Sequence, residues 1–287
     1  MPDTPLGAFL RARRRRLAPG DAGLPAGSRR RTPGLRREEV AARAGISADY
    51  YARLEQGRQR VPTVSVLDGL AEALLLADAE RVYLHRLAGL GARDTQQVPA
   101  ARPRPAVSVN TRVLLEALHE TPAFVVDRRF DLIAWNPMAS ALLGGLDTRP
   151  AHQVNLLWQV FCCPFGERTP ANREAVDSIG ADLVAGLRAH HADCPNDRGL
   201  DDLVVRLSAA SPVFAALWEQ HRAGMRSEGF LEILHPELRA ESFPYTTLAL
   251  PEPDQHLFVF LAPAGSHARD VFRNLLPRSR TLAPGRY

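Results

Sequence analysis

The chain has 287 residues, of which 45% are hydrophobic and 24% are charged, and this composition excludes a mainly disordered protein. No apolar run approaches the roughly 18 residues that a membrane span needs, and the N-terminus is arginine-rich where a signal peptide would carry an apolar core. We therefore expect a cytoplasmic protein of two domains, without a membrane partner.

The charge is distributed unevenly along the chain, although the net charge is only +4. Residues 1–62 carry 14 arginines against 6 acidic residues, whereas residues 105–265 carry 12 arginines against 20 acidic residues. A basic segment favours a polyanionic partner, because each neutralised phosphate of a nucleic acid releases condensed counterions. The two halves therefore face different partners, and double-stranded DNA suits the first.

The first predicted element is an amphipathic helix in the stretch TPLGAFLRARRRRL, in which Leu6, Phe9 and Leu10 fall near helical spacing and the arginines lie off that face. Residues 18–34 are rich in glycine and proline and include the arginine run at 29–31. This composition predicts an exposed basic loop after the first helix.

The block LRREEVAARAGISADYYARLEQG predicts two short helices joined by a tight turn. Ala41 is small enough for the second helix to cross close above it, and Gly45 supplies the positive φ that such a turn prefers. Ser47 is a good N-cap for the second helix, which would direct Tyr51 and Leu54 inward. Because one short block meets all these requirements, it predicts a helix-turn-helix.

Two more amphipathic stretches, TVSVLDGLAEALLL and DAERVYLHRLAGL, complete an all-α domain of five helices, which we place at residues 1–92. The polar, proline-rich residues 93–105 have the composition of a semi-rigid linker. The sequence thus predicts a helical DNA-binding domain that a linker joins to a second domain.

The second domain is expected at residues 106–265, where the pattern changes. AFVV and DLIAW predict a hairpin, Asn136 caps a short helix, and residues 154–221 are mostly helical by pattern. Three apolar or alternating runs follow, and the last is apolar on both faces, as a central strand would be. We expect an α+β domain with an antiparallel sheet, followed by a C-terminal helix and flexible tail at residues 266–287.

The segments GLPAGSRRRTPGLRREEVAARAGIS, DYYARLEQGR and FVVDRRFDLIAWNPMASAL resemble the MmyB-like transcription regulators. That family joins an Xre-type helix-turn-helix to a PAS-like ligand-binding domain, and the resemblance covers nearly the whole chain to about residue 265. It implies a homodimeric regulator that acts at the nucleoid in the cytoplasm. It also implies a fatty-acid-like ligand in the second domain, because at least some relatives are thought to hold one.

In helix-turn-helix proteins the first residues of the second helix meet base edges, while nearby arginines contact phosphates. Arg53 is the best base reader, because its guanidinium can pair with two acceptors of a guanine. Alternatively, Arg53 only pairs with Asp49 one turn earlier, and the basic loop is only a solvated surface. The predicted DNA-binding residues are Arg29, Arg30, Arg31, Arg36, Ser47, Ala48, Asp49, Tyr50, Arg53, Arg58 and Arg60.

In the second domain, a ligand cavity would need apolar walls with a few polar groups. Trp135 and Trp158 suit such walls, but both are also candidates for a simple hydrophobic core, and Asn136 for a simple helix cap. An alternative hypothesis makes this domain a platform for dimerisation or protein interaction, without a small ligand.

The chain departs from the family pattern beside His221 and His235, where relatives often carry basic residues. If those residues hold a ligand headgroup in relatives, this chain binds a different or less acidic ligand. Arg222 and Arg226 are candidate substitutes. The predicted ligand-binding residues are Trp135, Asn136, Trp158, Phe161, Arg222, Arg226 and His235.

Cys162, Cys163 and Cys194 are odd in number and have no repeating spacing, so we expect reduced thiols and not a disulfide framework. Together with His190 and His191 they match no established zinc spacing, and neither a metal nor another cofactor is expected. The sequence also places no nucleophile beside a base, so we expect no enzyme.

Overall fold

The computed structural model describes residues 4–24, 34–58, 61–90, 107–143, 146, 154–162, 173–194, 197–224, 226–235 and 239–279. The described part of the first domain consists of α1 (Pro5–Arg16), α2 (Arg37–Arg43), α3 (Ala48–Glu55), α4 (Val64–Ala73) and α5 (Asp78–Leu90). This confirms the all-α prediction. The arginine run at 29–31 of the predicted basic loop and the predicted linker at 93–105 lie outside the described residues.

The turn between α2 and α3 has the geometry that its sequence requires. Gly45 has a φ of 67°, in the left-handed region where glycine is favoured. The Ser47 hydroxyl accepts a hydrogen bond of 3.1 Å from the Tyr50 amide, which caps the start of α3. Gly7 of α1 packs directly against the end of α3, where an added Cβ would collide with the carbonyl oxygen of Glu55. The α2–α3 pair is therefore fixed firmly against α1.

The second domain begins with helix α6 and a hairpin and ends with three strands and a helix. Its described elements are α6 (Val109–Ala117), β1 (Ala123–Val126), β2 (Leu132–Trp135), α7 (Pro137–Leu142), α8 (Leu156–Cys162), α9 (Arg173–Asp193), α10 (Arg198–Ala210), α11 (Pro212–Glu219), β3 (Glu228–His235), β4 (Arg239–Ala249), β5 (His256–Phe260) and α12 (His267–Ser279).

Within the described ranges the sheet has five strands in the order β2-β1-β5-β4-β3, and every neighbouring pair is antiparallel. The last strand, β5, is therefore central, as its apolar faces predict. Leu257 and Val259 belong to a small core with α6, whereas Phe258 and Phe260 belong to the large core with the other helices. The α+β prediction with an antiparallel sheet is confirmed.

The large core contains aromatic side chains from strands and helices. Trp135 is fully buried in it, and Phe243 of β4 stacks on Phe272 of α12 at 5.4 Å between ring centroids. Helix α12 is thus packed into the second domain.

The two domains touch through α5 and α9. Ala192 of α9 and Ala223, which follows α11, are buried in the core of the first domain. Arg86 of α5 donates a hydrogen bond of 2.9 Å to Asp193 at the end of α9. The helices of the first domain therefore pack directly against the second domain.

Candidate DNA-binding surface and effector region

The outward face of α3 carries residues that the sequence predicts to contact DNA. Ser47, Ala48 and Asp49 are exposed at the start of the helix, Tyr50 is half-buried, and Arg53 is exposed one turn later. The opposite face lies in the domain core. The core therefore holds α3 rigidly and leaves its first turns accessible, as recognition in a major groove requires.

Arg53 forms the ion pair that the sequence offered as the alternative to base reading. Its Nη2 lies 2.8 Å from Oδ2 of Asp49, and the two side chains are 49% and 77% exposed. Such exposed pairs contribute about 0.2–1 kcal/mol, whereas a bidentate contact to the right base contributes about 1–3 kcal/mol of discrimination. DNA can therefore draw Arg53 away from Asp49 at small cost, and the base-reading role stays a prediction.

The structure describes some of the arginines near α3 that are predicted to contact DNA, and others lie outside the described residues. Arg36 is exposed just before α2, and its amide donates a hydrogen bond of 2.7 Å to the carboxylate of Glu39. Arg58 is exposed just after α3. Both positions suit phosphate contact. The predicted DNA contacts that lie outside the described residues are Arg29, Arg30, Arg31 and Arg60.

A buried ion-pair network anchors α3 from below, and the sequence pattern did not predict it. Glu55 is fully buried, and its carboxylate accepts hydrogen bonds of 2.6 Å from Arg14 and 2.8 Å from Arg37. Arg14 also donates a bond of 2.9 Å to the carbonyl of Leu35. The network joins α1, α2 and α3, so it fixes the orientation of α3 relative to the other two helices.

The charge state of this network follows from its partners. Burial alone would raise the pKa of Glu55, but the hydrogen bonds from Arg14 and Arg37 outweigh burial and hold that pKa below its usual range. The carboxylate is thus ionised at neutral pH. A buried charge of this kind is stabilised only while both arginines stay in place.

Asn136, which is a predicted ligand contact, joins four backbone segments. Its side-chain oxygen accepts hydrogen bonds from the amides of Ala123 and Ala139 at 3.1 and 2.9 Å, and its side-chain nitrogen donates to the carbonyls of Leu118 and Thr121 at 2.8 Å each. The side-chain amide of Asn136 therefore bonds to the backbone of its own domain, and one of these bonds caps the start of α7.

The aromatic candidates for ligand binding lie in different surroundings. Trp135 is wholly enclosed in the large core. Trp158 of α8 is half-buried against the same core, and Phe161, one turn further, meets Phe214 edge-on at 5.4 Å between ring centroids. The ligand-contact role stays a prediction for all three.

The basic candidates Arg222 and Arg226 come together near Asp182 of α9. Arg226 Nε lies 3.7 Å from Asp182 Oδ1, and both guanidinium groups oppose the burial that raises the pKa of Asp182. His235 ends β3, and its side chain lies outside the described residues. The structure therefore places two of the three basic candidates near the same carboxylate.

Thiols and metal-ligating groups were also candidates for a site. Neither Cys162 nor Cys194 forms a disulfide with a described residue, and Cys163 lies outside the described residues. Within the described ranges, no three histidine, cysteine or acidic side chains are placed to share a metal ion. In the same part of the chain, no helix combines the length and apolar character that crossing a bilayer would require.

Comparison with known proteins agrees with this geometry. Residues 107–276 match the family model of the MmyB-like transcription regulator ligand binding domain, and residues 5–84 match a helix-turn-helix domain. The chain is also 51% identical over 53 residues to the uncharacterized HTH-type transcriptional regulator y4dJ of Sinorhizobium fredii (strain NBRC 101917 / NGR234), an alignment that covers 18% of this chain and 68% of that protein. The chain therefore belongs to the MmyB-like transcription regulators, DNA-binding proteins that join a helix-turn-helix to an MmyB-like ligand-binding domain.

Proposed function

We propose that this regulator reads a pseudo-palindromic operator as a homodimer in the cytoplasm, and that a small hydrophobic, fatty-acid-like effector in its second domain changes operator affinity. The observation that carries the proposal is the direct packing of α5 against α9. A helix of the DNA-binding domain is thereby bound to the main helix of the effector domain, through Arg86 and Asp193 and through buried Ala192.

Operator reading rests on α3 and its flanks. Arg53 would contact a guanine, and Arg36 and Arg58 would contact phosphates on either side. One short recognition helix reads too few base pairs for useful specificity, so two copies on half-sites roughly 34 Å apart are expected.

The effector role rests on the family of the second domain and on its large apolar core. A ligand changes DNA binding only if it binds one arrangement of the two domains more tightly than another. A typical coupling would alter operator affinity about 5- to 150-fold. The α5–α9 contact is where such a difference would reach the DNA-binding helices.

The DNA arm is tested by fluorescence anisotropy with a selected operator, with single-base variants of it and with random DNA. Arg53→Ala should relax discrimination at one base pair by about 1–3 kcal/mol, whereas Arg36→Ala should weaken binding to all sequences alike. Arg206→Ala, an exposed change on α10, is the matched control and should change neither. Equal losses on operator and random DNA for Arg53→Ala would contradict the base-reading role.

The effector arm is tested by native mass spectrometry of the purified protein, followed by titration of the delipidated protein with fatty acids. A retained lipid, a change in tryptophan emission and a parallel change in operator affinity would support the proposal. Trp158→Phe would show whether the half-buried indole of α8 reports the ligand. If no fatty acid changes either signal, the interaction-platform hypothesis becomes the better account of this domain.

A further inference from the structure

The sheet of the second domain has an inner face, which lies on the large core, and an outer face, which α6 covers in part. Phe258 of β5 belongs to the large core, whereas Leu257 and Val259 point the other way and pack against α6. Leu115 of α6 is buried in this small core, whose described sheet members come from β1, β2 and β5. The half of the outer face that β3 and β4 form therefore lies beside α6 and not beneath it.

This half of the outer face exposes large apolar side chains. Leu248 of β4 is 50% exposed and pairs with Leu257 of the small core, so it points to the same side as α6. Phe230 of β3 is 66% exposed and precedes Leu231, which belongs to the large core, so Phe230 points outward. Leu261, just after β5, is 42% exposed.

Helix α6 is apolar on both of its sides. The side that faces the sheet carries Leu115, whereas Val109 and Val113, one turn apart on the other side, are 72% and 58% exposed. Leu114 is exposed beside them. A helix at a protein surface normally turns polar residues outward, and a helix that is apolar all round is typical of one that is covered on every side. The outward side of α6 therefore has the character of a surface that a partner covers.

Together the outward side of α6 and the β3–β4 half of the outer face form one apolar patch, which we call the outer patch. Within the described ranges of the second domain, it contains every exposed large apolar side chain except Val205 of α10. A concentration of this kind on a soluble protein marks an interaction site. We infer that the outer patch is the interface of a homodimer, in which α6 of each copy covers the β3–β4 half of the other copy's sheet. The inference rests on the proposed function for the existence of the homodimer and assigns its interface.

A second copy of the chain suits the outer patch because the two parts of the patch complement each other. An open sheet face is stabilised by a helix that packs on it, and an apolar helix side needs a surface to cover it. Each copy has both, so one two-fold axis covers both parts in both copies by identical contacts.

The size and the place of the outer patch agree with this role. A stable interface takes about 800 Å² from each partner, and six exposed large apolar side chains with their polar neighbours form a patch of that order. The patch lies across the sheet from the large core, where the proposed effector would bind. Dimer formation and effector binding therefore do not compete for the same side chains.

The test is sedimentation equilibrium of the full chain without DNA, which should give a dimer for the wild type. Val113→Glu on α6 and Phe230→Arg on β3 should each raise the dimer dissociation constant about 100-fold or more, because each places an unpaired charge in the interface twice. Val205→Glu replaces an equally exposed valine outside the patch and should leave the constant unchanged. The double variant Val113→Glu, Phe230→Arg should recover about tenfold or more of the loss, because the introduced charges are opposite and lie on facing surfaces.

The fold of each variant is checked by tryptophan emission and circular dichroism, which should match those of the wild type because both positions are exposed in one copy. Leu248→Glu is a second sheet variant with the same expected effect as Phe230→Arg, and it does not alter the edge strand. A wild-type dimer that none of the patch variants weakens would overturn this interface and leave the proposed homodimer standing. A loss in the single variants without recovery in the double variant would overturn the packing of α6 on the partner's sheet. A wild-type chain that is monomeric at every concentration, with and without its operator, would contradict the proposed homodimer itself.

Discussion

Replacing Glu55 by Gln should destabilise the first domain strongly, although the two side chains have nearly the same shape. Glu55 is fully buried and accepts short hydrogen bonds from Arg14 and Arg37, and the Arg14 side chain is only 10% exposed. Removing one partner of a buried ion pair leaves an uncompensated charge and costs about 3–5 kcal/mol. Gln retains one acceptor oxygen, so we expect a loss of about 3 kcal/mol, at the lower end of that range.

The assay is urea unfolding of the full chain, followed by two signals. All three tryptophans, at 135, 158 and 218, lie in the second domain, so their emission reports that domain, whereas far-ultraviolet circular dichroism reports helices of both. Glu55→Gln should lower the midpoint of the circular dichroism transition much more than that of tryptophan emission. Asp49→Asn breaks an exposed pair on the same helix and should cost under about 1 kcal/mol. Similar losses for the two variants would refute the reasoning.

The pH dependence of this effect has a definite sign. Because the folded pKa of Glu55 is held below the ordinary value of 4.5, its contribution to stability is present above that value and is lost as the pH falls through the folded pKa. The difference in unfolding free energy between the wild type and Glu55→Gln should therefore narrow below pH 4.5 and stay constant above it. A difference that widens with acid would contradict the assignment.

Three further changes test other parts of the structure by chemical unfolding. Gly7→Ala should destabilise the first domain by about 1–3 kcal/mol, because its methyl group would overlap the carbonyl at the end of α3. Gly89→Ala has open space at its Cβ and should stabilise the domain by up to about 1 kcal/mol, and the reverse order of stabilities would contradict the close approach of Gly7 to α3. Burial lowers the pKa of His190 from 6.5 to about 4, so the unfolding free energy of the wild type should fall as the pH drops from 6.5 to 4. His190→Gln should make this fall smaller. An unchanged dependence of the unfolding free energy on pH would exclude His190 as its cause. Asn136→Ala should lower the stability of the second domain by at least about 2 kcal/mol, measured by tryptophan emission. Asn110→Ala, on the exposed face of α6, should be nearly neutral. Equal effects of the two variants would show that the contacts of Asn136 contribute little to stability.

The elements that depend on local physics could be predicted from the sequence. The α2–α3 turn follows from Gly45 and Ser47, because a positive φ and an N-cap are requirements of neighbouring residues alone. The central position of β5 follows from a strand that is apolar on both faces, because only a strand covered on each side can bury both.

What could not be predicted depends on contacts between distant residues. Arg14 stands in a run of arginines that helical spacing assigns to solvent, yet it is buried because Glu55, 41 positions later, lies beneath it. The packing of α5 against α9 brings Arg86 to Asp193, which is 107 positions away in sequence. The periodicity of a helix does not reveal which distant element the helix packs against. The sequence pattern therefore predicted both helices but not the contact between them.

The position of β5 also determines the order in which the protein can be completed during synthesis. Among the described strands, β1 pairs with β2 and β3 pairs with β4, and β5, at His256–Phe260, connects the two hairpins by pairing with both β1 and β4. These long-range pairings must wait for the last strand, whereas the residues of the helix-turn-helix domain, at 5–84, are synthesised first. A chain interrupted before β5 would leave β1 and β4 as open strand edges, which are prone to aggregate. The residues of the helix-turn-helix domain are therefore synthesised well before the strand that unites the sheet of the second domain.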